Sequence, residues 1–509
     1  MIRIKTRCLR AAGLLCLLLP AAAFLLTWVR PVIAVPSALM LAAAFYLFTR
    51  RDAKSPMADA FGESGELCIS WLSLLAVIAC AVLWTFLSGM GGMFYQNEDH
   101  YGRNAIFHDM LENPWPVYFE GTDFALTYYI AYWILPALFA KGVSLFLGEG
   151  VLWSVGNAAL FAQTVVFLVV IFLLFLSLVR AKRLPAVLTA LLVFVMFSGM
   201  DGLPAALKND WNNQIEWWAE TYQFSCNTTC LFWVYNQALP AWIATLLLLS
   251  RPMDFGWYAL LGLAAFPFSP MPFVGLFFLM GCMFVGQLAK GLSRDSFADH
   301  AKALFLSCLT SENLLACAAL LPSFGLYFMS NQASSEGGFT MQLFFYAWGP
   351  AKALSRLILF WLIEFGALAL VVVPRYKKHP LLVIACVSLL LAPMFRLGFK
   401  ADFSMRASIP GLTVLCVYAA HMLLDCFARR ALKTEAVLLA VLLALGAITP
   451  MLEFERGAYK VMMAGTNFMY SDPFKTVLHE DADTFNFICN DVNNSTFYRH
   501  FARKGPADR

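Results

Sequence analysis

Residues 151–179 read VLWSVGNAALFAQTVVFLVVIFLLFLSLV, a run without a single Asp, Glu, Lys or Arg. A helix needs roughly 20 such residues to cross about 30 Å of hydrocarbon, so this stretch reads as a membrane span. Comparable runs recur along the whole chain, 436–452 among them. Of the 509 residues, 61% are hydrophobic and 13% charged, about half the roughly 25% charged share of a soluble domain. That balance excludes a soluble fold. The net charge of +4 is small and scattered, which gives no footing for nucleic acid. The 13 cysteines show no zinc or haem spacing. Most of them, such as Cys16, Cys80 and Cys386, lie in apolar runs as small hydrophobes. The start, Met-Ile-Arg-Ile-Lys-Thr-Arg before an apolar run, has the look of a signal peptide. It lacks a small-residue cleavage site and is read as the first span.

Lys and Arg cluster in 3–10, 50–54, 180–183, 290–302, 375–378 and 429–433. The positive-inside rule makes these segments cytoplasmic and places 91–125, 201–232, 331–342 and 397–408 on the opposite face. One conflict arises, because two crossings between 126 and 179 would put 180–183 outside. Residues 126–147 resolve it as an interfacial or re-entrant segment, with Tyr128, Tyr129, Tyr132 and Trp133 as belt aromatics, Pro136 as a break and Lys141 inside the would-be span. The expected fold is therefore an all-α polytopic bundle of about thirteen spans occupying 1–452, fourteen being the alternative, with a small folded tail at 453–509 outside. Residues 258–286 read as a hairpin broken at its tip by Pro267, Pro270 and Pro272, which lack the amide donor. No internal repeat is present.

The polar chemistry gathers on the outer face. The first loop holds Glu98, Asp99, Asp109, Glu112, Glu120 and Asp123 against Arg103. Residues 99–113 scan as one amphipathic helix, with Ile106, Phe107, Met110 and Leu111 on one face and His108, Asp109 and Glu112 on the other. Such a helix is expected to lie flat on the membrane surface. Asp99 stands at its start, where free amides favour a carboxylate, as a cap, as a reactive group, or as both. The second loop opens Phe197-Ser198-Gly199-Met200-Asp201-Gly202, an acid among small residues that allow close approach of a ligand. Trp211, Trp217, Trp218 and Trp233 follow, as an interfacial belt or as a platform for a sugar or a polyprenyl chain. Cys226 and Cys230 could close a disulfide in an oxidising compartment. Arg396, Lys400 and Arg406 defy the charge rule on this face. They either hold an anion such as phosphate or pair with the acids of the other loops.

Six runs then resemble a known class. Asn97-Glu98-Asp99-His100, with the following helix ending Asn113-Pro114-Trp115-Pro116-Val117 and with Tyr128-Tyr129-Ile130-Ala131-Tyr132, is similar to the GT-C membrane glycosyltransferases. Phe197 to Asp201, Trp233-Val234-Tyr235-Asn236-Gln237-Ala238 and Asp402-Phe403-Ser404-Met405-Arg406-Ala407-Ser408-Ile409-Pro410 resemble bacterial GT-C-like proteins. The resemblance covers roughly residues 70–415. It implies a polyprenyl-phosphate-linked sugar as donor and an outward-facing site in the plasma membrane of a bacterium, serving the cell envelope. Asp99 is then the catalytic base, Glu98 its neighbour and Asp201 a second acid. Arg396, Lys400 and Arg406 hold the donor phosphate, and Arg103, His100, Trp217 and Trp218 line the substrate. The adjacent acids Glu98 and Asp99 depart from the common pattern of two acids one residue apart, which leaves the identity of the base and the use of a divalent metal open. His100 and His108 could join such a metal, but as interfacial polar residues they need none. Two rivals are a polyprenyl-linked oligosaccharide polymerase or ligase, and a flippase, for which Lys141 and Glu364 are the candidate mid-membrane charges.

Overall fold

The computed structural model describes residues 1–55, 57–62, 65–211, 214–293, 296–332, 340–341, 349–397, 401–429, 434–464, 474–479 and 486–504. Among these, nine helices are long and apolar enough to cross a membrane. They include α1 (Thr6–Trp28), α2 (Pro31–Lys54), α9 (Asn227–Ser250), α11 (Pro270–Lys290) and α13 (Ser311–Met329), together with Glu149–Val179, Ala351–Val372, Ile409–Ala428 and Thr434–Ala464. Five shorter apolar helices accompany them: Trp71–Leu87, Ala131–Leu147, Leu184–Val195, Phe255–Phe268 and Pro380–Met394. β-structure amounts to three short antiparallel pairs. The chain is thus an all-α bundle with the helices of a multi-pass membrane protein. Its axis is α9, whose apolar window is 94% buried, against 28% for α2 at the rim. The first apolar run is part of this bundle, since α1 packs on α2, α6 (Leu152–Val179) and α9.

The two ends of the bundle differ in charge. At one end Asp52 accepts from Arg10 Nε and Nη2 (2.9 and 2.8 Å) and from Arg251, while Arg51 bridges Asp254 and Glu312 (both 2.8 Å). Arg180 meets Asp59 at 2.6 Å, and Arg375 and Arg429 share Asp425 at the same end, where His379 also bonds Ala60. Residues from five of the six basic segments thus gather at one end of the fold. The opposite end carries the acidic first loop and the C-terminal residues.

Three features of that opposite end depart from expectation. The helix α4 (Asp99–Glu112) has the expected limits, but His100 and every residue from Arg103 to Leu111 are buried. It does not lie on a surface, because α5 (Ala131–Leu147), α6 and α9 pack on one side and the tail covers another. There Val477 N–H and Thr476 Oγ1 donate to Asp109 (2.9 and 3.2 Å), and the Tyr101 and Phe474 rings meet at 5.9 Å. The tail is likewise sewn into the bundle. Ile488–Cys489 pairs with Ala125–Leu126, Arg30 donates to the Ala502 carbonyl and Tyr118 to that of Arg503. One helix, Ile448–Ala464, runs straight through the boundary expected at 452/453. Finally, Gly199 and Gly202 make room for the protein itself. A Cβ on Gly199 would stand 2.3 Å from Glu364 Oε2, and one on Gly202 would stand 3.0 Å from Ile448.

Residues 131–147 pack beside the first half of α6. Tyr132, near the start of α5, bonds Thr164 of α6 at 2.8 Å, and Lys141 reaches the Asn113 carbonyl of the first loop at 2.8 Å. Thr164 lies fifteen residues from Val179, the end of α6, about 22 Å at 1.5 Å per residue. Thus α5 runs beside the part of α6 that precedes Thr164. The expected hairpin break falls at Ser269, which is extended (φ −177°) between the 3-10 turn Phe266–Phe268 and α11.

Candidate functional site

Of the sequence-selected residues, Asp99, His100 and Arg103 stand together at the start of α4, with Arg406 near the same tyrosine pair as Arg103. Asp99 opens α4 and receives Arg103 Nη2 at 3.0 Å across one helical turn. The cap position belongs to Glu98, which is exposed and makes no side-chain cap bond, so Asp99 does not cap the helix. The Asp99 carboxylate is 42% exposed while its partner is 7% exposed, so the pair presents the acid to solvent and keeps the cation inside. The start of α4 is locked by α9. A kink at Val234 (φ −136°, ψ 37°) disturbs the helical bonding, and the Phe232 carbonyl accepts from Asn97 Nδ2 (2.9 Å) and pairs with His100 Nε2 (3.0 Å). Burial drives His100 down to about 3, so it is neutral and serves to fix α4.

The Arg103 guanidinium lies 5.7 Å from the centre of the Tyr235 ring, a cation–π distance. From the other side comes Arg406, in the short helix Asp402–Ala407, paired with Asp402 at 2.5 Å. Both arginines act on the Tyr128–Tyr129 pair, whose rings are 3.7 Å apart and whose hydroxyls burial pushes up. Yet Nε and Nη1 of Arg103 and Nε of Arg406 find no acceptor among the described residues. Buried donors are almost always satisfied, so the two cations near the Tyr128–Tyr129 pair keep N–H groups with which to cradle an anion, Arg103 doing so beside the solvent-facing Asp99 carboxylate. Arg396 sits on the strand leading to this helix, paired antiparallel with Thr340. Lys400 lies outside the described residues, as does most of 331–342.

A second centre was only partly legible. Asp201 is buried and accepts from Thr449 Oγ1 (2.9 Å) and Ser198 Oγ (3.3 Å). It lies against Glu364, which accepts from Trp218 Nε1 at 2.8 Å. Glu364 sits in a π-helical turn, Leu362–Gly366, and the Ile363 carbonyl takes the Met200 N–H at 3.1 Å. Such turns are frequent at functional sites. Glu216 accepts from Cys226 N–H (2.9 Å) and Ser225 Oγ (2.7 Å). Burial, then the charges of Asp201 and Glu453, push it up to about 8. Glu453 in turn accepts from Trp233 Nε1 (3.1 Å) and Arg456 (2.7 Å). Cys230, in the first turn of α9, lies within electrostatic reach of both Glu216 and Arg406. Asp201 and Glu364 were each singled out in the sequence, but nothing there joined them to one another or to Glu216 and Glu453.

Of the tryptophans, Trp218 is tied to Glu364, while Trp217 is 51% exposed. Cys226 and Cys230 are both free thiols, and Cys226 Sγ instead caps α9 by accepting from Thr229 N–H. Among the described residues no group of three His, Cys, Asp or Glu is arranged to hold a metal ion. His100 faces α9, and His108 stacks on Trp153 at 3.7 Å.

The fold and the site define a helical, multi-pass membrane protein with an arginine cradle and a buried acid cluster at one end. Compared with protein-family models, curated proteins and solved structures, the chain matches none.

Proposed function

We propose that this end of the bundle transfers a sugar from a polyprenyl-phosphate donor to an acceptor on the non-cytoplasmic face of the membrane. The observation that supports this reading is the set of buried, unused donors on Arg103 and Arg406, the former paired with the solvent-facing Asp99 carboxylate. An acceptor hydroxyl attacks the anomeric carbon, and Asp99 takes its proton. The bond from that carbon to the phosphate oxygen breaks, its electron pair leaves with the phosphate, and Arg103 and Arg406 balance the charge that develops there. Tyr128 and Tyr129 form the wall against which the phosphate is held. On this reading the nine long helices and four of the shorter ones give 9 + 4 = 13 spans, Ala131–Leu147 standing apart as the re-entrant segment.

The test is Asp99→Asn in a protein shown to be folded by its elution and melting profile. Transfer is expected to be lost while binding of the lipid donor persists; turnover at the wild-type rate would remove Asp99 from the chemistry. One observation favours a second reading, proton-coupled movement of a lipid-linked saccharide. Asp201 and Glu364 are two buried carboxyls in contact, the second on a broken span, an arrangement common in transport pathways. Proton uptake accompanying lipid movement, abolished by Glu364→Gln and indifferent to Asp99→Asn, would select it.

A further inference from the structure

At the end of the bundle remote from Asp99, the basic segments surround an open cavity of about 1090 Å³. It is bounded by the end of α6, by α7 (Leu184–Val195), by residues 375–379 and by the last turns of Ile409–Ala428. Five cations line it, Arg180, Lys182, Arg183, Arg375 and Arg429, against a single lining acid, Asp425. Arg375 and Arg429 share that acid and Arg180 is held by Asp59, so even after pairing the cavity keeps an excess of positive charge. Lys182 and Arg183 are exposed on the short connection into α7, whose N-terminus points the positive end of its dipole toward the same region.

The floor is aromatic and ordered. The Phe61 and His421 rings stack at 3.9 Å and 8°. Tyr376 Oη lies 2.7 Å from His421 Nδ1, and the Arg375 guanidinium stands 6.0 Å from the centre of the Tyr376 ring. The positive-inside rule accounts for basic residues on this face. It does not account for three separate segments closing around one cavity whose interior carries oriented donors and a stacked ring pair.

We propose that this cavity is a binding site for a phosphate-bearing anion, served by Lys182, Arg183, Arg375 and Arg429. Its volume, at the upper end of the usual 300–1,000 Å³ for ligand pockets, suits a phosphate carrying a substantial substituent. The site is independent of the chemistry assigned to Asp99, and its ligand reaches it from the membrane as a phospholipid headgroup or from solution as a free phosphate compound.

The experiment uses the full-length protein in phosphatidylcholine nanodiscs, titrated with inorganic pyrophosphate by calorimetry. In parallel, native mass spectrometry follows retention of phosphatidylglycerol by protein taken from mixed vesicles. The variants are Lys182→Gln with Arg183→Gln, the charge-preserving Lys182→Arg with Arg183→Lys, and Thr189→Glu, which sets a carboxylate on the lining should the neutral pair fail to fold. Pyrophosphate binding that weakens at least tenfold in the neutral or acidic variant, and is kept by the charge-preserving one, establishes the site with a soluble ligand. Phosphatidylglycerol retained by the wild type and lost in those variants, without pyrophosphate binding, establishes it with a lipid. If neither phosphate compound is held, or if the variants hold it as the wild type does, the proposal is overturned.

Discussion

Removing the two arginines of the cradle one at a time should weaken donor binding unequally. Arg103 offers two buried donors without an acceptor, Nε and Nη1, whereas Arg406 offers Nε alone because Asp402 takes Nη1. A hydrogen bond to a charged group contributes about 1.5–3 kcal/mol. Arg406→Gln should therefore raise the dissociation constant for a short-chain polyprenyl phosphate by about 10- to 150-fold at 1.4 kcal/mol per decade. Arg103→Gln, losing two such bonds, should raise it by at least about 100-fold. The Arg103 cation also rests on Tyr235, at 5.7 Å. Arg103→Lys should therefore recover the charge but not the forked geometry, and fall between the wild type and Arg103→Gln. Binding measured by thermophoresis in nanodiscs, with melting profiles as a check on folding, reads the order directly. Equal, small losses for the two substitutions, or a larger loss for Arg406→Gln, would refute the cradle.

Two further outcomes follow from the geometry. Asp52 holds both Arg10 and Arg251 in a buried network. Asp52→Asn should cost about 3–5 kcal/mol in denaturant titrations in mixed micelles by leaving buried cations unpaired, and a second change, Arg10→Met, should recover part of that loss. The second concerns pH. Glu216 ionises near the ordinary carboxylate value when unfolded but only at about 8 when folded, because burial and then Asp201 and Glu453 oppose its charge. Its contribution to stability is complete below the unfolded value and is lost as pH rises through about 8. Melting temperatures should thus decline from acid toward pH 8.5, and Glu216→Gln should flatten that decline while keeping an acceptor for Cys226 N–H.

Hydropathy made the bundle legible because a span is a local property: the run at 151–179 is already the helix that the structure contains, and three prolines already mark the break at Ser269. Charge sorting was legible for the same reason, one segment at a time. The limits of α4 could be read, but not its burial. An amphipathic pattern says which face is apolar, not that Val477 and Phe474 return from more than 360 residues away to cover the other. The acid cluster was hidden because Asp201, Glu216, Glu364 and Glu453 come from four separate elements and converge only when Gly199 lets the π-helical turn approach. Asp99, Arg103 and Arg406 were each selected from the sequence, yet the features that join them, the Tyr128–Tyr129 pair and the kink that brings Tyr235 beneath Arg103, depend on packing.

The central claim is tested most directly by reconstituting the wild-type protein with a panel of polyprenyl-phosphate sugars and measuring release of free polyprenyl phosphate. The account predicts release from at least one donor, dependent on an acceptor hydroxyl and absent from protein-free vesicles. No release from any donor, by a protein whose helical content and melting profile show it folded, would contradict it.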